Sequence, residues 1–251
     1  MYAAVNHSES LSGFRMIKAL LDLESKLNIN FSHQSKSHAL KLASKHGLID
    51  IATLLLDAGA DINTPGLLSE AANDEYNFEF LNFLVEQGID MELFGVDALA
   101  GAIIFENTAA IKLLLRSGAP VNELDDDGNY PIQVAASGKS RKTGSLLIRQ
   151  GADMNAPVNK EGYTTLHLAL QESDINMVKF LLDAGAQVNT PSQETLGKTS
   201  LEVFAERDVD CDVSERIEVF ELLMKAGARI NGPRVRKRCR QWNSALASLI
   251  S

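Results

Sequence analysis

The chain has 251 residues, 45% of them hydrophobic, with a formal net charge of −9, which is apolar content enough for a packed core. No apolar run approaches the roughly 20 residues of a membrane-crossing helix, so a soluble protein is expected. Cys211 and Cys239 form no spaced framework, and residues 1–12 contain no Lys or Arg. A secretory signal and a disulfide scaffold are therefore not expected, and a cytoplasmic setting is.

Residues 1–13 read as an N-terminal tail. From Phe14 the apolar spacing Phe14, Ile17, Leu20, Leu21 describes one helix face and an incomplete opening repeat that closes on Lys26-Leu27-Asn28-Ile29-Asn30. A helix pair follows, Ala39 to Ala43 and Ile51 to Leu56, leading to Gly59-Ala60-Asp61-Ile62-Asn63. The third repeat places Leu67, Leu68, Ala71 and Ala72 on its first helix and Phe78, Phe80, Leu81, Phe83, Leu84 and Val85 on its second. It exits through Gly88-Ile89-Asp90-Met91-Glu92.

The fourth puts Ala98 to Ile103 and Ala110 to Leu115 on its helices, with Gly101 expected to weaken the first slightly, and exits at Gly118-Ala119-Pro120-Val121-Asn122. The fifth opens on the turn-forming Asp125-Asp126-Asp127-Gly128-Asn129 and has Pro131 in its first helical turn. Its exit is Gly151-Ala152-Asp153-Met154-Asn155. The sixth runs from Gly162 to Asn189, and the seventh begins at Thr199-Ser200-Leu201-Glu202, extends its link over Arg207 to Glu215 and ends at Gly227-Ala228-Arg229-Ile230-Asn231. From one exit glycine to the next the steps are 29, 30, 33, 34 and 42 residues. A helix pair this small cannot bury its own apolar stripe, so recurrence at a near-constant period signals units that stack on copies of themselves.

The sixth repeat is the most regular. Thr164, Leu166, His167 and Ala169 start it, with Thr165 where proline is usual, and Leu181, Leu182, Gly185, Ala186 and Asn189 end it. This pattern resembles the ankyrin repeat. The resemblance implies an all-α solenoid of stacked helix-turn-helix units joined by β-turn fingers, spanning residues 14–233 with repeats ending near 30, 63, 92, 122, 155, 189 and 231. It also implies that His167 hydrogen-bonds neighbouring loop backbone. Asn63, Asn122, Asn155 and Asn189 match the position that asparaginyl hydroxylases modify in some ankyrin proteins.

Residues 234–251 are set apart by charge. Arg234, Arg236, Lys237, Arg238 and Arg240 leave 19 basic and 33 acidic residues up to Pro233, a balance of −14. Behind the cluster Trp242, Leu246, Leu249 and Ile250 have helical spacing, which suits a helix capping the last repeat; a disordered tail is the alternative. Arg236, Lys237, Arg238 and Arg240 also resemble a short import signal or a lipid contact. Nucleic-acid binding is disfavoured because the acidic body opposes it.

Other motifs fail on their chemistry. Gly138-Lys139-Ser140 lacks the glycine five positions earlier that a phosphate loop needs, since Gln133 stands there. Asp208, Asp210 and Asp212 alternate as in a calcium loop, but Val213 and Val219 replace its glycine and its bidentate glutamate. His33, His38 and His46 have no zinc spacing, and no catalytic triad can be picked out. No cofactor or metal is expected, and the chain is expected not to be an enzyme.

The resemblance implies a protein partner held by the ends of the first helices and by the fingers. Transferred to this sequence, those positions are Lys45, His46, Asn73, Asp74, Ile104, Phe105, Ser137, Gln171, Glu172, Glu206 and Arg207, with Asp126, Asp127, Asn129, Lys160, Glu161 and Tyr163 from the fingers. Ile104 and Phe105 are either an exposed anchor pair or core in a shifted register. The acidic fingers favour a basic partner, and a monomer is expected. The alternative function is an adaptor targeted to nucleus or membrane through the basic tail, or a secreted bacterial effector exported without a cleaved signal to a host cytosol; an enzyme with no recognisable motif is a minor alternative.

Overall fold

A computed structural model of the chain describes residues 15, 18–19, 32–191, 199–206, 213–230 and 235–236. Its contacts group the chain into two compact units, Met1–Pro120 and Val121–Ser251. Among the described residues every regular element is a helix.

In the N-terminal unit three helix pairs follow one another: α1 (His33–Lys45) with α2 (Ile49–Asp57), α3 (Leu67–Asn73) with α4 (Phe78–Glu86), and α5 (Met91–Ile104) with α6 (Thr108–Arg116). The first helices pack side by side, α1 on α3 and α3 on α5. Alanine makes that close approach possible: Ala43, Ala71, Ala72, Ala98, Ala100 and Ala102 are all buried. The second helices fill the wider space behind them with Ile51, Leu55, Phe80, Leu81, Leu84, Ile111 and Leu114, at 4% exposure or less. Burial of each such side chain contributes about 1.5–3 kcal/mol, which is why a seven-residue α3, too short to stand alone, is helical here.

One expectation for this unit needs correction. The third exit does not lead into a finger. Asp90 Oδ1 accepts from Leu93 N at 3.0 Å and caps α5, so the chain turns from the exit straight into a 14-residue helix. Gly101 also serves as a clearance in that helix: a Cβ there would clash with Asn73 Oδ1 of α3.

In the C-terminal unit the pairs are α7 (Pro131–Ser137) with α8 (Arg141–Arg149), α9 (Thr165–Gln171) with α10 (Ile175–Asp183), and α11 (Ser200–Glu206) with α12 (Val213–Lys225). Leu166, Ala169, Met177, Val178, Leu181, Leu201, Phe220 and Leu223 join one core cluster. Each first helix begins with a cap. Gln133 Oε1 accepts from Tyr130 N at 3.0 Å, Thr164 Oγ1 accepts from His167 N at 3.3 Å, and Glu202 Oε2 accepts from Thr199 N at 2.8 Å. The proposed capping helix at Trp242 to Ile250 lies outside the described residues, as does the opening repeat apart from Arg15, Lys18 and Ala19. Val235, just past the last exit, is buried.

The exit asparagines explain why the motif recurs. Asn122 Nδ2 donates to Gly151 O at 2.9 Å and its Oδ1 accepts from Asp153 N at 2.8 Å. Asn155 does the same with Gly185 O and Gln187 N, and Asn189 with Gly227 O and Arg229 N. Asn63 accepts from Asp90 N at 2.9 Å. Each amide thus ties one exit to the next. His33 and Ser37 make the same tie from a helix, with His33 Nδ1 on Gly59 O at 2.9 Å and Ser37 Oγ accepting from Asp61 N at 3.1 Å. Where Glu92 replaces the asparagine, the residue at the receiving position of the next exit is Pro120, which has no N–H to give.

Candidate functional site

Three turns between paired helices form one edge of the N-terminal unit, and two buried asparagines join them. Asn77, the N-cap of α4, donates through Nδ2 to Ser44 O of α1 at 2.7 Å. Asn107, the N-cap of α6, donates to Ala72 O of α3 at 2.9 Å and accepts from Ala110 N at 3.1 Å. A buried amide without such partners would cost about 1–3 kcal/mol, so the bonds hold the turns in register.

The predicted contact residues of this unit sit on these turns. Lys45 and His46 end α1 and are exposed. Asn73 ends α3, half-buried, its Oδ1 against Gly101 with no hydrogen-bond partner among the described residues. Asp74 is exposed and its carboxylate accepts from Tyr76 N at 2.9 Å. Ile104 and Phe105 are each 62% exposed, while Ile103 beside them is 2% exposed. The alternative in which a shifted register buries the pair is excluded by that contrast. Tyr76, 89% exposed, was not among the predicted residues. It lies in the 3₁₀ turn Glu75–Asn77, an element that the repeat pattern gave no reason to expect.

In the C-terminal unit the fingers pair with each other. The first closes through Asp125 N on Asn129 O at 3.0 Å and Asn129 N on Asp125 Oδ1 at 2.8 Å. In the second, Asn159 Oδ1 accepts from Tyr163 N at 2.9 Å and from Glu161 N at 3.1 Å. Asn159 Nδ2 donates to Asn129 Oδ1 at 2.8 Å, and Lys160 N donates to Gly128 O at 3.1 Å. Asn129 is therefore a structural tie as well as a surface residue. Lys160 reaches Asp127 at 3.6 Å and Lys139 reaches Glu172 at 3.5 Å, so part of the expected acidity is offset locally. Asp126, Ser137 and Glu161 are exposed, and Tyr163 and Gln171 half-buried. Glu206 ends α11; Arg207, Lys237, Arg238 and Arg240 lie outside the described residues, and Arg236 is exposed.

A family model described as "Ankyrin repeats (3 copies)" matches residues 68–158, 99–192 and 145–233, and an "Ankyrin repeat" model matches 36–66. The chain belongs to the ankyrin-repeat family. Similar curated ankyrin-repeat proteins include a putative ankyrin repeat protein, FPV031, of fowlpox virus, 30% identical over 172 residues, which are 67% of this chain and 43% of that one. The human transient receptor potential cation channel subfamily A member 1 is 30% identical over 165 residues, 60% of this chain and 15% of the channel. The chicken nuclear factor NF-kappa-B p105 subunit is 31% identical over 109 residues, 43% of this chain and 11% of the subunit. The chain spans less than half the length of each.

At the position of the ankyrin-motif histidine, other repeats bond the next loop: Lys41 Nζ donates to Pro65 O at 3.3 Å, and Gln133 Nε2 to Pro157 O at 2.8 Å and Tyr163 O at 3.3 Å. His167 accepts through Nδ1 from the backbone N of Thr164 at 3.2 Å. Its Nε2 is buried without a partner among the described residues, and residues 192–198 of the loop it would face lie outside them. Burial pushes its pKa down from 6.5 to about 4, so the ring is neutral at physiological pH. Among the described residues no cluster of His, Cys, Asp or Glu could hold a metal ion, and no helix is long and apolar enough to cross a membrane.

Proposed function

We propose that the chain is a noncatalytic interaction module that captures a protein partner through the ends of its first helices and through its fingers. Ankyrin repeats as a family mediate protein–protein interaction, and one observation carries the reading to residues here. Ile104 and Phe105 stand in water at the end of a helix whose other apolar residues are buried from Ala98 to Ile103, Gly101 aside. Two large apolar side chains held out on a rigid turn serve no folding purpose, and buried aromatic anchors carry about 2 kcal/mol or more each in an interface. The fingers add Asp126, Asp127, Lys160, Glu161 and Tyr163, whose mixed charges suit orientation of a partner. A cytoplasmic monomer is the form in which this surface is free.

The test compares the native chain with an Ile104→Asp, Phe105→Asp variant as tagged bait, with captured proteins identified by mass spectrometry and melting temperatures measured in parallel. A partner retained by the native chain and lost from an equally stable variant supports the module. Neutralising Arg236, Lys237, Arg238 and Arg240 leaves that capture intact; its loss on neutralisation would favour the tail-driven adaptor instead. Equal capture by native chain and Ile104, Phe105 variant contradicts the assignment.

A further inference from the structure

Resting on that reading, we propose that the joined turns of the N-terminal unit form a docking ledge for a basic peptide segment that carries a large apolar anchor. The ledge is continuous because Asn77 ties the third repeat's turn to the end of α1, and Asn107 ties the fourth repeat's turn to the end of α3. Gly101 lets Asn73 sit directly against α5, which brings the α3 end beside the turn bearing Phe105. Along this edge the exposed apolar groups include Tyr76, Ile104 and Phe105.

The charges next to these groups are acidic: Asp74 and Glu75 precede Tyr76 and Glu106 follows Phe105, all exposed, while the first turn of the ledge carries Lys45. Glu106 is moreover held with φ 55°, a left-handed conformation that disfavours a side chain by about 1–2 kcal/mol. The equivalent turn of the second repeat uses Gly47 at φ 64°. The fifth and sixth repeats hold Lys139 and Ser173 in the same conformation, at φ 57° and 56°, so a side chain at this turn position is shared by these repeats; in the fourth it places a carboxylate beside the apolar pair. Exposed apolar side chains beside carboxylates select against acidic segments by repulsion and favour Lys or Arg flanking an apolar anchor.

The test uses fluorescence anisotropy with three labelled 12-residue peptides: one with four lysines around a Leu-Trp pair, the same peptide with glutamates for lysines, and the same with serines for Leu-Trp. The native chain binds the first, with affinity falling as salt rises, and binds neither of the others. Asp74→Asn, Glu75→Gln and Glu106→Asn together weaken that binding about five- to tenfold, as expected for three exposed ion pairs. Tyr76→Ser, at a side chain too exposed to affect folding, weakens it further. Equal binding of the lysine and glutamate peptides, no binding of either, or an unchanged affinity after neutralisation overturns the proposal. Should the peptides fail while the Ile104, Phe105 variant still loses its protein partner, the module reading stands and the basic-segment class is rejected.

Discussion

Replacing Thr165 with proline should stabilise the C-terminal unit. Thr165 is the first residue of α9, fully buried, and its Oγ1 has no hydrogen-bond partner among the described residues. The backbone already suits proline: Thr164 before it has φ −81° and ψ 166°, close to the −75° and 148° of Tyr130, which precedes Pro131 at the same place in α7. An N–H at the first helical position is unsatisfied in any case, so its removal costs nothing. Removing a buried unpaired hydroxyl returns about 1 kcal/mol, and restricting the unfolded chain about 0.4–1 kcal/mol. With an unfolding entropy near 2.1 cal/mol/K per residue, a gain of about 1.5 kcal/mol raises the melting temperature of a unit of this size by about 5 °C. Differential scanning calorimetry reads the shift, and Ser200→Pro, at the equivalent buried position of α11, should behave alike. A melting temperature lowered by either substitution would refute the reasoning.

Other expectations follow from the same geometry. Because the His167 pKa is depressed in the folded state, the unfolded chain takes up the proton first; stability is full above pH 6.5 and is lost as pH falls towards 4. The loss between pH 7 and pH 5 is about 2 kcal/mol, and His167→Gln, copying Gln133, should flatten it in urea titrations. Gly101→Ala should destabilise by about 1–3 kcal/mol despite alanine's better helix propensity, and Asn73→Ala should rescue it in a double-mutant cycle. Asn122→Ala removes bonds to Gly151 O and Asp153 N and should cost about 1–2 kcal/mol by chemical denaturation.

The repeat period and the buried faces were legible because the described helix pairs bury a similar pattern: Leu166, Ala169, Val178 and Leu181 of the sixth repeat correspond to Leu68, Ala71, Leu81 and Leu84 of the third and to Leu99, Ala102, Ile111 and Leu114 of the fourth, all buried. The exit motif was legible for a reason the pattern did not reveal, namely the amide ties between successive exits. What the pattern missed are places where a tertiary neighbour outranks local preference. Gly88 to Glu92 looked like an exit into a finger, but Asp90 also satisfies a helix N-cap and the following residues accept the helix. Gly101 looked like a flaw because Asn73 lies far away in sequence. Tyr76 escaped notice because it lies in a turn element specific to the third repeat.

The most direct measurement is the affinity of a captured partner for the native chain and for Ile104→Asp, Phe105→Asp, by isothermal titration calorimetry, beside the urea midpoints of both and of Ile103→Asp. The account predicts that the double variant loses at least about 30-fold in affinity, equivalent to about 2 kcal/mol, at an unchanged midpoint, while Ile103→Asp unfolds early. An early midpoint for the double variant, or undiminished affinity, would contradict it.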